Sequence, residues 1–219
     1  RPAGEPFPPR LLPVTRAWLR ERSRLEAGAV AEAMRELAES TGEPPEELLA
    51  VLESDPATMA NLRTTCVATL IAGGTRVNAL PASAKASVNC RILPDRSPEE
   101  LEEELIRILD DPELRVEAAT EFGFGPPSPL EGPGPAAIEK VLREMWPEIL
   151  IVPFMSRGAT DARFLRARGV AAYGLDPIAL SEEDARRIHG ADERIPVASL
   201  RPAVELLYRL VVELAADHP

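Results

Sequence analysis

The sequence predicts an α/β protein in two parts. The first is an α+β, ferredoxin-like layer; the second is part of an α/β domain with a mostly parallel sheet and flanking helices. Three observations predict it. Residues 61–120 read strand, strand, helix, strand, as most of a split β-α-β-β-α-β unit does. Residues 135–219 alternate helices with short apolar strands. Between them, 121–134 carries four glycines and four prolines, a composition that holds neither a helix nor an inner strand.

The elements follow in order. Residues 1–13 hold five prolines and read as an extended connector. From Val14 to Ala60 the chain is helical in pieces: Trp18, Arg22 and Leu25 lie within one segment, and Val30, Met34 and Leu37 recur at helical spacing. Pro44 and Pro45 open a further short helix with Glu46 and Glu47 in its first turn and Leu48, Leu49 and Leu52 as its apolar side. Residues 1–60 thus form a proline-rich connector and a helical segment attached to the layer at 61–120.

Thr65 to Ile71 is rich in β-branched residues and meets a Gly73-Gly74 turn. From Ala84 to Leu93, Ala84, Ala86, Val88, Cys90 and Ile92 alternate with Lys85, Ser87, Asn89 and Arg91, which puts Asn89 and Arg91 on one face and the apolar set on the other. Ser97-Pro98-Glu99-Glu100 is a capping box with proline at the first helical position. Leu101, Leu105, Ile108 and Leu109 form that helix's stripe, Asp110-Asp111-Pro112 stops it, and 114–119 reads as a strand. Past the hinge at 121–134, helices are expected at 135–146, at 160–168 closed by Gly169, and from Ser199 onward. Strands are expected at 149–153 and 170–175.

Composition narrows the function classes. With 25 basic and 36 acidic residues the formal charge is −11, which argues against a duplex-DNA or anionic-membrane partner. No apolar run approaches the roughly 20 residues of a membrane helix, and no signal peptide is visible. The compartment stays open, with a soluble cytoplasmic protein favoured over a secreted one. Cys66 and Cys90 lie in strand-like apolar settings and read as buried free thiols, with a single disulfide the alternative.

Few residues can carry chemistry. Of the two histidines, His218 is penultimate, whereas His189 sits in the polar loop Arg187-Ile188-His189-Gly190-Ala191-Asp192-Glu193-Arg194 with glycine directly after it. A loop histidine is most often a surface residue and less often a ligand. No G-x-S-x-G supports a Ser-His-Asp triad, and the cysteines look too buried for a cysteine protease. Ser156-Arg157-Gly158-Ala159-Thr160-Asp161 follows an apolar segment and opens a helix, where backbone N–H groups can hold an anion; the plainer reading is a helix cap at Thr160 or Asp161. Gly73-Gly74-x-x-x-Asn78-Ala79-Leu80-Pro81 followed by Arg91 offers a guanidinium for a carboxylate and an amide for a carbonyl. Its plainer reading is a hairpin turn and a solvated arginine.

The three stretches GGTRVNALPASAKASVNCRILP (73–94), SRGATDARFL (156–165) and HGADERIPVASLRPAVELLYRLV (189–211) occur together in an order that resembles the family of di-zinc hydrolases of aminoacylase, carboxypeptidase S, glutamate carboxypeptidase, acetylornithine deacetylase and succinyl-diaminopimelate desuccinylase. The flavour is that of the carboxypeptidase S-like branch, to which RTTCVATLIAGG (63–74) adds. The resemblance covers about residues 61–214. It implies a lid and dimerisation domain at 61–120 and the C-terminal part of a metal-binding catalytic domain at 135–219. It implies that His189 is a metal ligand, that Asn78 and Arg91 bind the substrate, and that Gly158 and Thr160 line its pocket. Asp161 and Glu193 match acidic positions with a supporting role, and Arg157 stands where small or neutral residues are usual.

The implied activity is hydrolysis of the amide bond of an N-acyl amino acid or small peptide, with two zinc ions per subunit, or cobalt or manganese in their place. The implied partners are that substrate, the N-terminal half of the same protein, and a second copy through the lid. The family's H-x-D ligand pair and general-base glutamate have no counterpart in these residues, so the chain is expected to be inactive alone. The alternative is a non-catalytic dimerisation or ligand-binding module derived from the same fold.

Overall fold

The computed structural model describes residues 7–119, 125–156 and 158–216. The start of the expected hinge, the position of Arg157 and that of His218 lie outside the described residues. The chain divides into two compact units, one of Arg1–Pro127 with Val152–Val170, the other of Ser128–Ile151 with Ala171–Pro219.

The first unit begins with four helices: α1 (Pro13–Arg22), α2 (Gly28–Glu39), α3 (Glu46–Leu52) and α4 (Pro56–Met59). Leu19, Met34, Leu37, Leu49, Leu52, Met59 and Leu62 converge on one core, with Leu11, Trp18 and Val30 packed against it. Each fully buried leucine contributes about 2 kcal/mol through water released from its side chain, so this cluster is what orders a segment that the sequence marks only as helical in pieces. Arg16 locks α1 to α2. Its Nη1 donates to the carbonyl oxygens of Leu37 at 3.2 Å, Ala38 at 3.1 Å and Ser40, groups that a helix C-terminus otherwise leaves without an N–H partner. Asp55 caps α4, accepting from the Ala57 N–H at 3.0 Å and the Thr58 hydroxyl at 2.6 Å.

The chain then forms an antiparallel ribbon of β1 (Thr65–Gly73) and β2 (Ala84–Arg91). Thr65 pairs with Arg91 and Gly73 with Ala84, and the register shifts by one residue between Ala68 and Leu70. The extra residue, Thr69, turns its hydroxyl to the Ser87 carbonyl oxygen at 3.3 Å. A bulge of this kind changes which residues share a face. Arg91, Asn89, Ser87 and Lys85 keep one face, as the alternation predicts. The expected apolar face is not covered, however: Val88 is half exposed and Ile71, opposite Ala86 on that face, is 81% exposed, while Val67 and Leu70 lie exposed on the face of Asn89 and Ser87.

The cysteine expectation also changes. Cys66 and Cys90 are direct partners across the ladder, only partly buried, and joined by a disulfide with a Cα–Cα distance of 4.1 Å. Residues facing each other in a non-hydrogen-bonded pair bring their side chains this close, so antiparallel pairing alone aligns the two sulfurs.

α5 (Pro98–Leu109) starts on the predicted capping box: Glu100 N–H donates to Ser97 Oγ at 3.2 Å and Ser97 N–H to Glu100 Oε2 at 2.8 Å. Its stripe is narrower than expected. Leu101 is buried and Leu109 is not; Glu104 is buried instead, paired with Arg96 and Arg107. The helix ends at Asp110 in the left-handed region, φ 47°.

The second unit packs α6 (Pro133–Met145) on α9 (Leu200–Ala216) through Val141, Leu142, Leu206 and Leu210, with Ile138, Met145, Ile149, Ile151 and Leu175 against them. Lys140 Nζ donates to both carboxylate oxygens of Glu213, at 2.6 and 2.7 Å. Two short helices lie between: α7 (Ala162–Arg166), in the first unit, is shorter than predicted but closed as expected by Gly169 at φ 79°, and α8 (Glu182–Ala185) belongs to the second.

A mostly parallel sheet is the largest expectation the structure overturns. Among the described residues the sheet is two-stranded and antiparallel, and 114–119, 149–153 and 170–175 form no strand. A strand exists only through a neighbour's ladder. Here Ser128 satisfies part of the 170–175 backbone, its hydroxyl bonding the N–H of Ala172 at 2.9 Å and its carbonyl oxygen at 2.8 Å. The apolar residues of these segments are used all the same: Ile149, Ile151 and Leu175 cover the α6–α9 core.

Candidate substrate and metal-ligand residues

The ribbon positions two of the five predicted site residues. Arg91 ends β2, opposite the first residue of β1, and is exposed with no ion pair to a described residue. An arginine at a ladder end with no ion pair among the described residues has donors for an external carboxylate or for water. Asn78, also exposed, lies in the connection beyond Gly73 and Ala84, at the other end of the ladder. The seven residue steps from Ala84 to Arg91 span about 23 Å at the usual strand rise. The ribbon therefore separates Asn78 and Arg91 rather than gathering them.

Gly158 and Thr160 belong to the same unit as the ribbon, in the turn before α7. The Gly158 N–H donates to Ser156 Oγ at 3.2 Å, closing a small side-chain turn, and the Arg163 N–H donates to the Thr160 carbonyl oxygen at 3.3 Å. Both residues are exposed. Neither Thr160 nor Asp161 caps α7 with its side chain, so the plainer reading of these residues is not realised and their polar atoms face outward.

His189 stands in the second unit, in the loop after α8. The sequence places a Ser181 cap three residues before Asp184: Ser181 Oγ accepts from the Asp184 N–H at 3.1 Å and donates to its carboxylate at 2.8 Å. After α8 the chain turns tightly, the Gly190 N–H donating to the Arg187 carbonyl oxygen at 2.7 Å. A Cβ at position 190 would meet that oxygen at 3.1 Å, which explains the glycine. His189 takes φ 62° and Asp192 φ 60°, both left-handed and both unusual outside glycine. The imidazole is exposed and makes no hydrogen bond to another described residue.

Around it runs a set of ion pairs that sequence reasoning missed. Arg187 reaches Glu183 at 2.8 Å and Asp192 at 2.7 Å; Arg194 reaches Asp184 at 2.8 Å, Glu183 at 3.2 Å and Asp192 at 3.2 Å. The Arg194 guanidinium, and then the Ser181 hydroxyl, hold the Asp184 carboxyl below the usual carboxylate value, and Asp184 in turn raises Arg194. Only the four-residue spacing of Glu183 and Arg187 carried a signal for this in the sequence.

Metal chemistry is tested by the donor set. Among the described residues no three His, Cys, Asp or Glu side chains converge where a metal could sit. A catalytic zinc takes about three protein ligands, so the described residues do not fit a complete centre. The exposed His189 ring fits one nitrogen position of such a centre.

Comparison with known proteins bears on the same stretches. A family model described as a peptidase dimerisation domain, of the M20 group, matches residues 25–117. The chain is 31% identical over 169 residues to the N-fatty-acyl-amino acid synthase/hydrolase PM20D1 of Homo sapiens, covering 76% of this chain and 34% of that protein. It is 23% identical over 164 residues to the probable carboxypeptidase S-like 2 of Dictyostelium discoideum, covering 74% and 31%. Over 169 residues it is 28% identical to aminoacylase-1 of Homo sapiens, covering 75% and 40%. The chain spans about a third of the length of the curated relatives it matches. Among solved structures, an M20 family metallo-carboxypeptidase from Sulfolobus solfataricus, Sso-CP2, aligns over 94% of this chain and 46% of its own with a TM-score of 0.56. At 15% identity that likeness concerns the fold alone.

Proposed function

We propose that this chain, which matches the M20 peptidase dimerisation domain over residues 25–117 and resembles M20 relatives over about three quarters of its length, is the substrate-recognition and dimerisation part of an enzyme that hydrolyses the amide bond of N-acyl amino acids or small peptides. The observation that carries this reading is Arg91, an exposed guanidinium at the end of β2 with no ion pair to another described residue. A planar fork of donors suits a substrate carboxylate through two parallel hydrogen bonds. Asn78 contacts another part of the substrate from the ribbon's far end. Gly158 leaves the turn without a side chain, and Thr160 offers a hydroxyl to the pocket wall.

In this reading two zinc ions, or cobalt or manganese in their place, supply the Lewis acidity of the complete enzyme, with His189 as one ligand. The remaining ligands and the general base come from outside these residues, so the 219-residue chain is inactive by itself. Its exposed ribbon residues Ile71 and Val88, which share one face, are the surface offered to a second copy.

The test is a panel of N-acyl amino acids and dipeptides presented to the complete enzyme and to its Arg91→Ala variant. Arg91→Ala lowers kcat/KM for substrates with a free carboxylate by about 2–5 kcal/mol of lost recognition and leaves amidated substrates unaffected. Equal losses on both substrate classes overturn the assignment of Arg91. Metal-dependent hydrolysis by the isolated 219-residue chain overturns the claim that it is incomplete.

A further inference from the structure

We propose that Arg187 and Arg194, acting through Glu183, Asp184 and Asp192, are positioning residues that hold the 187–194 turn in the conformation presenting His189. The role rests on the preceding reading of His189 as a metal ligand; the clasp itself rests on geometry alone.

Two left-handed non-glycine residues within four positions need outside support, because each such backbone state is disfavoured for an L residue. Apolar packing does not supply it: Ile188 and Ile195, which flank the turn, are each about half exposed. One backbone hydrogen bond, from Gly190 to Arg187, closes the turn's first half. What reaches across the whole turn is the pair of arginines. Arg187 enters the turn and Arg194 leaves it, and both guanidinium groups bond Asp192 Oδ2 and Glu183 Oε1. Arg194 adds Asp184, which Ser181 holds in place from the α8 cap.

Single exposed ion pairs contribute little, but planar guanidinium groups sharing two carboxylates form a network. Such a clasp fixes Asp192 on both sides and therefore the backbone between Arg187 and Asp192, with His189 at its middle. It also makes the turn sensitive to ionic strength, since exposed charges are screened over about 10 Å at 0.1 M salt.

The experiment has two arms. In the 219-residue chain, amide exchange at Gly190 is followed by NMR for the native sequence, Arg194→Met and Arg194→Lys, at low and at high salt. The expected result is exchange accelerated about tenfold in Arg194→Met, partial rescue by Arg194→Lys, and approach of the native chain to the Arg194→Met rate in 1 M salt. Unchanged exchange in Arg194→Met overturns the clasp. In the complete enzyme, Zn²⁺ titration compares His189→Ala with Arg194→Met. The expected result is loss of a zinc from His189→Ala, and full stoichiometry with a salt-dependent, about tenfold weaker Kd in Arg194→Met. An unchanged Kd in Arg194→Met, with zinc lost from His189→Ala, overturns the positioning role alone. Full zinc stoichiometry in His189→Ala overturns the metal reading of His189 and the role with it.

Discussion

Cys66 and Cys90 face each other directly across the β1–β2 ladder and are joined, closing a loop whose ends are 24 residues apart in sequence. Arg91 follows Cys90 in the chain, so the bond secures the end of the ribbon on which the proposed carboxylate contact stands. Closing a loop of this length restricts the unfolded chain by about 3 kcal/mol in the chain-entropy account. The Cys66→Ser/Cys90→Ser double variant is expected to lose about that much stability in urea denaturation. Thiol titration of the native protein is expected to find no reactive thiol before denaturant and reductant are added.

Arg16 is the second test of stability. Its guanidinium takes three carbonyl oxygens at the end of α2, and a bond to a charged group contributes about 1.5–3 kcal/mol. Arg16→Ala is expected to lower the unfolding free energy by about 2 kcal/mol with an unchanged denaturant slope. Arg16→Lys, whose shorter stem holds its ammonium farther from the three oxygens, recovers only part of it.

Asp55 gives a pH prediction. The Thr58 hydroxyl, helped by the Ala57 and Thr58 N–H groups and the charge of Arg22, holds its carboxyl below the usual 3.8. A depressed folded value means that the unfolded chain binds the proton more tightly. The stability Asp55 adds is therefore complete above about pH 4 and is lost as pH falls through the lower, folded value. Asp55→Asn keeps an α4 cap without the charge and is expected to flatten that acid limb, whereas Asp55→Ala also costs about 1 kcal/mol at neutral pH. Unfolding curves between pH 2 and pH 7, a range chosen to cover roughly both carboxylate states, decide between them.

The ribbon's length yields a fourth expectation. Residues more than about 7–10 Å apart with no shared partner act additively, and the ladder separates Asn78 from Arg91. In the complete enzyme the losses in log kcat/KM of Asn78→Ala and Arg91→Ala are expected to sum in the double variant. A double variant no worse than Arg91→Ala alone would mean that both act on one group of the substrate.

Association is the fifth. Ile71 is 81% exposed on a ribbon within the segment that matches a dimerisation domain. Exposed apolar surface of this kind marks an interface. Sedimentation equilibrium is expected to find dimers, and Ile71→Asp to shift them toward monomer by at least about tenfold in Kd, since a charge buried without a partner costs over 1.4 kcal/mol.

Much of this was legible in the sequence where the cause is local. The Ser97 and Glu100 capping box and the Gly169 stop after α7 depend on neighbours within a few residues, and the structure has both. α9 forms from Leu200 as expected but buries Ala203, Leu206 and Leu210 in place of the expected stripe of Leu200, Val204, Leu207, Val211 and Leu214. The ribbon was legible from alternation, and with it the face shared by Asn89 and Arg91. The parallel sheet was not, because the apolar texture of 149–153 and 170–175 says that these segments are covered but not what lies beside them. The disulfide stands in the sequence only as the alternative, because each cysteine is read by its own surroundings, whereas pairing 65–68 with 88–91 sets Cys66 opposite Cys90. The His189 loop is legible by its lone imidazole, whereas the ion pairs of Arg187 and Arg194 join residues up to 11 apart and leave only the Glu183 and Arg187 spacing as a signal.

The bulge at Thr69 has a consequence for how this hairpin tolerates length change. Side chains on a strand alternate with a period of two, so one surplus residue exchanges top for bottom from that point on. Removing Thr69 would keep Leu70 opposite Ser87 and Gly73 opposite Ala84, so both halves of the strand would hold their present faces. A homologous hairpin shorter by one residue here would then carry the same greasy and polar letters on either side of the gap to present the same surface.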